Sequence, residues 1–409
     1  MKVGFILQKR DLSALAKAVA LVATGLILGH AWAKRVQDKY LHTAAPEFCD
    51  AKLHGIALIR EAFSRPDTLV MFGSSELIPD VPMKGVDFFS TLPTGFSVFP
   101  VGKAGTTALS VLQKLGGAGS ALSGKKVVIS LSPSFFQSES VDPKYFEGNS
   151  SKLQAKEFLW SDQFSDSLKQ AAAKQMLRYP KAYEGDWLLG FTLRRVASGS
   201  WLDRAALALI EPYAWIDRSV GRMQDHAEAT VALLEAAEPT EKQRGVKNGP
   251  SSVNWDELLL AAEQNSRALA KRAKKNHLKP TLNVGEKDAA FVGNLKKAQE
   301  WTDFELVLRL LREAGAHPLV ISMPVHADVL ESQGVSKRGW VEYGRQLRLL
   351  TGIYDTPLVY LEDHERDSIF FVDHADHIGS KGWWYYNKAM DDFYHNRLRA
   401  SPMASQVLR

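Results

Sequence analysis

An apolar run at residues 68–72 is followed directly by the turn Gly73-Ser74-Ser75, and this junction constrains the fold more than any other part of the chain. The run Thr-Leu-Val-Met-Phe is bounded by a glycine turn and shows no polar alternation, which is typical of a parallel strand buried on both faces. The turn then lies at the carboxyl end of that strand. Because ligands bind at this edge of open α/β sheets, we expect a serine hydroxyl of the turn to face a ligand site.

Further short apolar runs follow, and segments with helical spacing of apolar residues lie between them. The predicted strands are residues 95–101, 125–131, 318–323 and 357–361, and the predicted helices are residues 106–115, 301–314, 340–350 and 383–396. Strands that alternate with helices are typical of βαβ units. The sequence therefore predicts an α/β fold with a parallel sheet flanked by helices.

The alternation stops between residues 143 and 285, where apolar residues recur at helical spacing. We predict that residues 143–285 are a helical insertion in a catalytic α/β domain formed by residues 66–142 and 286–409. Residues 36–65, which precede that domain, are predicted to form an amphipathic connector.

The N-terminal segment 12–33 is apolar, Lys17 is its only strongly charged residue, and basic residues flank it on both sides. This pattern predicts that residues 1–35 are a membrane anchor or a signal segment. A retained single-pass anchor is favoured over cleavage near Ala31-Trp32-Ala33. Basic residues before the apolar core favour an N-terminus in the cytoplasm and a catalytic domain outside the cell membrane.

Composition limits the class of protein, the kinds of partner and the disulfide content. The 409 residues are 45% hydrophobic and 24% charged, as in globular proteins, and the net charge is +5. This excess suits an anionic polymer or membrane surface, but it is too diffuse to indicate nucleic-acid binding. Cys49 is the single cysteine, which excludes an internal disulfide framework.

A second group of polar residues, Asp373-His374-Ala375-Asp376-His377, lies near the C-terminus between the last predicted strand and the last predicted helix. A serine hydroxyl becomes an effective nucleophile when an imidazole accepts its proton, and a carboxylate orients that imidazole. The turn and this cluster together therefore supply the residue types of a Ser-His-Asp site. Three alternatives are a helix-capping role for the serines, a solvated loop at the Asp/His cluster and a metal site at that cluster.

Five sequence blocks, in order, resemble the DltD family, which acts in D-alanylation of teichoic acids in the cell envelope. They are residues 73–77 (Gly-Ser-Ser-Glu-Leu), 102–109 (Gly-Lys-Ala-Gly-Thr-Thr-Ala-Leu), 132–136 (Ser-Pro-Ser-Phe-Phe), 300–304 (Glu-Trp-Thr-Asp-Phe) and 377–383 (His-Ile-Gly-Ser-Lys-Gly-Trp). The resemblance implies an SGNH-hydrolase-like fold. It also implies three partners: a membrane-bound O-acyltransferase, a D-alanyl carrier protein and an anionic envelope polymer.

The resemblance assigns roles residue by residue. Ser75 matches the nucleophile and His377 the base, with Ser74 as the alternative nucleophile. The glycine block implies a backbone donor to an oxyanion, for which we favour Gly105 over Gly102 because glycine permits close approach. The amide of Ser75 itself is a second donor.

One position departs from the family pattern, which has aspartate three residues before the histidine. His374 stands there in this chain, so the carboxylate of the site must come from Asp373 or Asp376. We favour Asp373, because a residue four positions back can curl towards the ring of His377. His374 as the base remains the alternative.

The expected function is serine-dependent acyl transfer of D-alanine, or the corresponding ester hydrolysis, without a cofactor or metal. Three alternatives stay open. They are an SGNH O-acetyltransferase or esterase acting on an exopolysaccharide, a non-enzymatic accessory that binds the carrier or the acyltransferase, and a metal-dependent envelope hydrolase.

Overall fold

Five parallel strands form one sheet. The computed structural model describes residues 9–44, 55–236, 253–272, 282–373 and 377–398. The strands are β1 (Thr68–Phe72), β2 (Ser97–Val101), β3 (Lys126–Leu131), β4 (His317–Ser322) and β5 (Leu358–Tyr360), in the spatial order β2-β1-β3-β4-β5. Every neighbouring pair is parallel. The predicted α/β architecture is confirmed, and each strand lies within two residues of its predicted bounds.

The described helices surround this sheet. They are α1 (Lys9–Ala44), α2 (Ile56–Ser64), α3 (Gly85–Thr91), α4 (Ala108–Ala118), α5 (Pro143–Asn149), α6 (Lys152–Leu159), α7 (Asp166–Met176), α8 (Trp187–Ser198), α9 (Trp201–Ala236), α10 (Trp255–Arg272), α11 (Asp288–Lys297), α12 (Gln299–Ala314), α13 (Ala327–Ser332), α14 (Lys337–Ile353) and α15 (Ser380–Tyr394). Short 3₁₀ helices occur at Ser75–Leu77, Gly119–Leu122, Pro133–Phe136, Pro180–Ala182 and Glu362–His364.

Both faces of the sheet are buried, as the apolar runs predict. Alternate side chains of a strand point to opposite faces. Val70 and Phe72 accordingly pack in a core that includes residues of α2, α4 and α12. Leu69 and Met71 pack in a second core with residues of α3 and α15. All five residues of β1 are buried, so this strand is fixed from both sides.

The described part of residues 143–285 forms the helices α5 to α10 and contains no strand. Helix α6 packs against α4, and α7 packs against α12, so these helices lie directly on the α/β part. The assignment of this segment as an insertion stays a prediction.

The segment for which we predict a membrane helix lies within α1, which packs against α9. None of the helices in the described ranges combines the length and apolarity needed to cross a membrane.

The strand order places a crevice beside β1. The chain passes from β1 outwards to β2 and then returns across β1 to β3, so the connections after β1 and β3 leave the sheet in opposite directions. Such a switch point opens a cleft at the carboxyl ends of the strands. The serine turn after β1 stands at this cleft.

Candidate active site

Ser75 is the first residue of the 3₁₀ helix Ser75–Leu77, directly after the turn that ends β1. Its side chain is half-buried, whereas Glu76 and Leu77 beneath it are buried. The amide of Gly73 donates a hydrogen bond of 3.1 Å to the carbonyl of Val101 at the end of β2. The turn is thus tied to the neighbouring strand, and it holds Ser75 at the edge of the sheet.

The structure brings the predicted acid and base together. His377 Nδ1 lies 2.7 Å from Asp373 Oδ2, and the two side chains are 24% and 45% exposed. The amide of Val372 donates to the carbonyl of His377 at 2.8 Å, which ties the two segments to each other. The alternative residues His374 and Asp376 lie outside the described residues.

Glu76 lies beneath the serine turn, within electrostatic range of His377. Its Oε1 accepts a hydrogen bond of 2.9 Å from the amide of Ser74. Complete burial raises the pKa of Glu76, whereas the side chain of Ser130, the amide of Ser74 and the imidazole of His377 lower it. The ring of His377 therefore acts electrostatically on the residue next to Ser75. Leu77 and Ile378 also share one hydrophobic core, so the two segments pack on the same side of the sheet.

Ser74, the alternative nucleophile, has a different environment from Ser75. It is 3% exposed, and its Oγ accepts a hydrogen bond of 3.1 Å from the amide of Thr106. This bond joins the turn after β1 to the glycine-rich loop after β2. The geometry favours a structural role for Ser74, because its hydroxyl is buried and already holds that loop.

The two glycines proposed for the oxyanion site differ in what surrounds them. Gly102 has φ +145°, and a Cβ there would lie 2.0 Å from the carbonyl oxygen of Gly73. Gly105 has φ +77°, and a Cβ there would lie 2.4 Å from a ring carbon of Tyr145. The absence of a side chain at Gly102 therefore lets the ends of β1 and β2 approach each other. No partner among the described residues accepts from the amides of Gly105 and Ser75, which suits both as oxyanion donors.

A small cavity lies beside Ser74, between the start of α4, the end of β3 and α12. Ser132 and Phe136, from the third block that resembles the family, line it together with Glu300. Glu300 Oε1 accepts a hydrogen bond of 2.6 Å from the amide of Ala108. Burial, reinforced by the nearby Asp303, raises the pKa of Glu300 to about 8. The raised pKa favours the neutral form of the Glu300 carboxyl at this wall.

Metal binding was the alternative for the Asp/His cluster. In the described ranges, which omit residues 374–376, no group of three or more His, Cys, Asp or Glu side chains is placed to hold a metal ion.

Comparison with known proteins identifies the family. The family model described as DltD protein matches residues 45–395, which is most of the chain and includes all of the candidate site. The chain belongs to the DltD family. The resemblance inferred from the five sequence blocks is confirmed, and that family is associated with D-alanylation of teichoic acids.

Two relatives carry the name Protein DltD. The chain is 26% identical to the protein of Bacillus subtilis (strain 168) over 406 residues, covering 95% of this chain and 98% of the relative. It is 20% identical to the protein of Staphylococcus aureus (strain NCTC 8325 / PS 47) over 374 residues, covering 90% of each. The similarity therefore extends over almost the whole length of both relatives.

Three residues that shape the site of this DltD-family chain were not predicted as site residues. The amide of Thr106 donates to Ser74 Oγ, and Glu76 Oε1 accepts from the amide of Ser74. Glu300 Oε1 accepts from the amide of Ala108, the first residue of α4. Glu76 and Glu300 each lie in a block that resembles the family. That position was the available signal, and it does not identify the hydrogen-bond partner of either residue.

We expect Gly102→Ala to lower the free energy of unfolding by about 3 kcal/mol or more. The new Cβ would overlap with the Gly73 carbonyl, and the positive φ would add backbone strain. Rotation of a side chain cannot relieve the contact with the Gly73 carbonyl. Gly124→Ala is the matched control, since Gly124 has φ +69° but nothing within 4 Å of a Cβ. Chemical denaturation should give the control a loss of only about 1–2 kcal/mol. Equal losses would contradict the proposed close packing.

Proposed function

We propose that this DltD-family chain is a serine-dependent O-acyltransferase that moves a D-alanyl group to a cell-envelope polymer through an acyl-serine intermediate. In this proposal Ser75 is the nucleophile, His377 the general base and Asp373 the carboxylate that orients it. The sheet is proposed to be SGNH-hydrolase-like.

The observation that carries the proposal is the 2.7 Å contact between His377 Nδ1 and Asp373 Oδ2. A carboxylate at this nitrogen fixes the tautomer in which Nε2 is unprotonated and able to accept a proton from a hydroxyl. The same carboxylate stabilises the imidazolium that forms. The electrostatic influence of His377 on Glu76 supports a position of the ring beside the Ser75 turn.

The proposed reaction has two steps, formation of the acyl-serine and transfer of the acyl group to an acceptor hydroxyl. Ser75 Oγ attacks the carbonyl carbon of a D-alanyl thioester, and His377 takes the hydroxyl proton. The carbon–sulfur bond then breaks, and the thiol leaves with that proton. In the second step His377 takes a proton from an acceptor hydroxyl, whose oxygen attacks the ester. The bond to Ser75 breaks and the serine regains its proton.

Charge develops on the carbonyl oxygen in both steps. The amides of Ser75 and Gly105 are the proposed donors to that oxygen, because neither has another acceptor among the described residues. Fixed backbone donors are effective here since they need no reorganisation during the reaction. Ser74 and Thr106 contribute by holding the loop that carries Gly105.

The proposed setting is the outer face of the cell membrane, with residues 1–35 as a single-pass anchor. A membrane-bound O-acyltransferase and a D-alanyl carrier protein are the proposed partners, and the acceptor is an anionic polymer such as teichoic acid. The net charge of +5 would favour approach of a polyanion.

Direct detection of the intermediate tests the proposal. The full chain is incubated with the N-acetylcysteamine thioester of D-alanine, quenched in acid and digested, and the peptides are analysed by mass spectrometry. We expect a D-alanyl mass on the peptide containing Ser75 and loss of that mass after treatment with hydroxylamine, which cleaves esters.

A parallel sample with the acetyl thioester separates the functions. Preferential acetyl labelling of Ser75 would favour an O-acetyltransferase or esterase acting on an exopolysaccharide. Absence of either label from Ser75, with the chain still required for envelope D-alanylation, would favour a non-enzymatic accessory.

A further inference from the structure

A second cavity, of about 250 Å³, lies between α1, α2 and α9, and none of its lining residues belongs to the Ser75 site. Its volume is somewhat below the roughly 300–1,000 Å³ of typical small-molecule pockets, so it suits a small ion or a single headgroup. Five basic or imidazole side chains line it: His30, Lys34, Arg60, Arg222 and His226.

Two acidic residues, Glu61 and Asp225, also line the cavity, Glu157 lies close to it, and all three carboxylates are engaged with other partners. Both carboxylate oxygens of Asp225 accept hydrogen bonds from backbone amides at the start of α2, at 3.2 and 2.7 Å. Glu61 lies 3.4 Å from Arg65. Glu157 contacts Arg60 at 3.2 Å and Arg222 at 3.5 Å, so it fixes both guanidinium groups.

The pKa of His226 reflects the charges around the cavity. Burial lowers the pKa of His226, and His30, Arg60 and Lys34 lower it further. Besides burial, the groups that lower this pKa are therefore a second imidazole and two basic side chains. An anion in the cavity would reverse this effect and stabilise the imidazolium.

The hydrogen bond to Gln37 determines which nitrogen of His226 can donate to a ligand. The Gln37 amide nitrogen lies 3.2 Å from His226 Nδ1, which makes Nδ1 an acceptor and leaves the proton of the neutral ring on Nε2. The rings of His30 and His226 are perpendicular, with centroids 5.2 Å apart. Arg60 Nε and Nη2 already donate to the carbonyls of Ala118 and Gly117. The donors left for a ligand include the imidazoles, the Arg222 guanidinium and the Lys34 ammonium, which match the several acceptor oxygens of a phosphate group.

We propose that this cavity binds a phosphate-bearing anion, either a phospholipid headgroup or a soluble phosphate ester. A lipid source is consistent with the position of His30 and Lys34 at the end of the apolar segment 12–33, where a lipid phosphate would lie beside a membrane-anchored helix. This site is additional to the proposed acyl transfer and does not depend on it.

The test uses the full-length Ser75→Ala variant with ¹⁵N-labelled histidine. This substitution removes the proposed nucleophile, so acyl transfer cannot affect the result. Histidine resonances are followed against pH with four probes: inorganic phosphate, sn-glycerol 3-phosphate, phosphatidylglycerol nanodiscs and phosphatidylcholine nanodiscs. We expect phosphate-bearing anions to raise the pKa of His226 by about one unit. By linkage, binding should tighten up to about tenfold as the pH falls through that pKa.

The probes separate the two sources. A response to phosphatidylglycerol nanodiscs but to neither soluble compound assigns the site to a lipid headgroup. A response to inorganic phosphate or glycerol phosphate assigns it to a soluble ester. No response of His30 or His226 to any of the three anionic probes overturns the proposal.

Two substitutions on one helix provide the matched comparison. Lys34→Gln should weaken binding about tenfold, whereas Lys39→Gln should leave it unchanged. Both remove one positive charge from α1, but the Lys39 ammonium lies over the ring of Tyr40 and does not line the cavity. Equal weakening by both variants would indicate a diffuse charge effect and overturn the site. Unfolding midpoints confirm that both variants are folded.

Discussion

Ser75→Ala is expected to lower D-alanyl transfer by about 10⁴–10⁶-fold, because the proposed mechanism has no other nucleophile. The side chain is half-buried at the end of β1, so removal of one oxygen should leave the packing of the turn intact. The measurement is the initial rate of thiol release from the D-alanyl thioester, together with the thermal unfolding midpoint of each variant.

Ser74→Ala is the matched control, since it removes the same atom from the neighbouring residue. Its hydroxyl accepts from the amide of Thr106, so we expect a stability loss of about 1 kcal/mol and a rate loss of about tenfold. If Ser74→Ala were the inactive variant and Ser75→Ala the active one, the nucleophile would be Ser74. Full activity of both would exclude covalent catalysis at this turn.

The sheet was predictable because its strands are apolar runs, and a glycine or proline follows each of β1 to β4 within two residues. The bounds of β1 agree with the sequence at both ends, since Gly73 follows immediately and all five residues are buried. Helix bounds were less well predicted because caps decide them. Helix α4 begins at Ala108, two residues later than expected, because Thr107 accepts a hydrogen bond from the amide of Ser110 and so forms the N-cap.

The supporting residues of the site depend on distant contacts that local patterns do not encode. The bond from the amide of Ala108 to Glu300 joins residues 192 positions apart. The bond from the amide of Thr106 to Ser74 depends on how far the loops extend beyond β1 and β2. The contact between Asp373 and His377 could be expected from the sequence because the two residues are only four positions apart.

Asp373→Asn is expected to lower acyl transfer by about 10³–10⁴-fold with little change in stability. The carboxylate is 45% exposed, so its replacement by an amide should not disturb the core. An amide can present either a donor or an acceptor to His377 Nδ1, and it carries no charge to stabilise the imidazolium. The loss should therefore appear in the rate of acyl-serine formation, measured in a single turnover by rapid quench.

The other members of the cluster provide the controls. Asp376→Asn and His374→Gln should each change the rate less than about tenfold, because the proposed pair is Asp373 and His377. A larger loss for Asp376→Asn than for Asp373→Asn would transfer the role of the carboxylate to Asp376. A loss for His374→Gln as large as that for His377→Gln would make His374 the base.

Combining substitutions separates a catalytic unit from independent contributions. Residues that act together in one step show strongly non-additive losses, because removing one leaves the others little to act upon. In the Ser75→Ala background, Asp373→Asn and His377→Gln should therefore lower the residual rate less than about threefold. If Asp373→Asn instead lowered the residual rate by the full factor of about 10³–10⁴ in that background, Asp373 would act independently of Ser75, in substrate binding or in folding. The proposed serine mechanism would then have no carboxylate to orient His377.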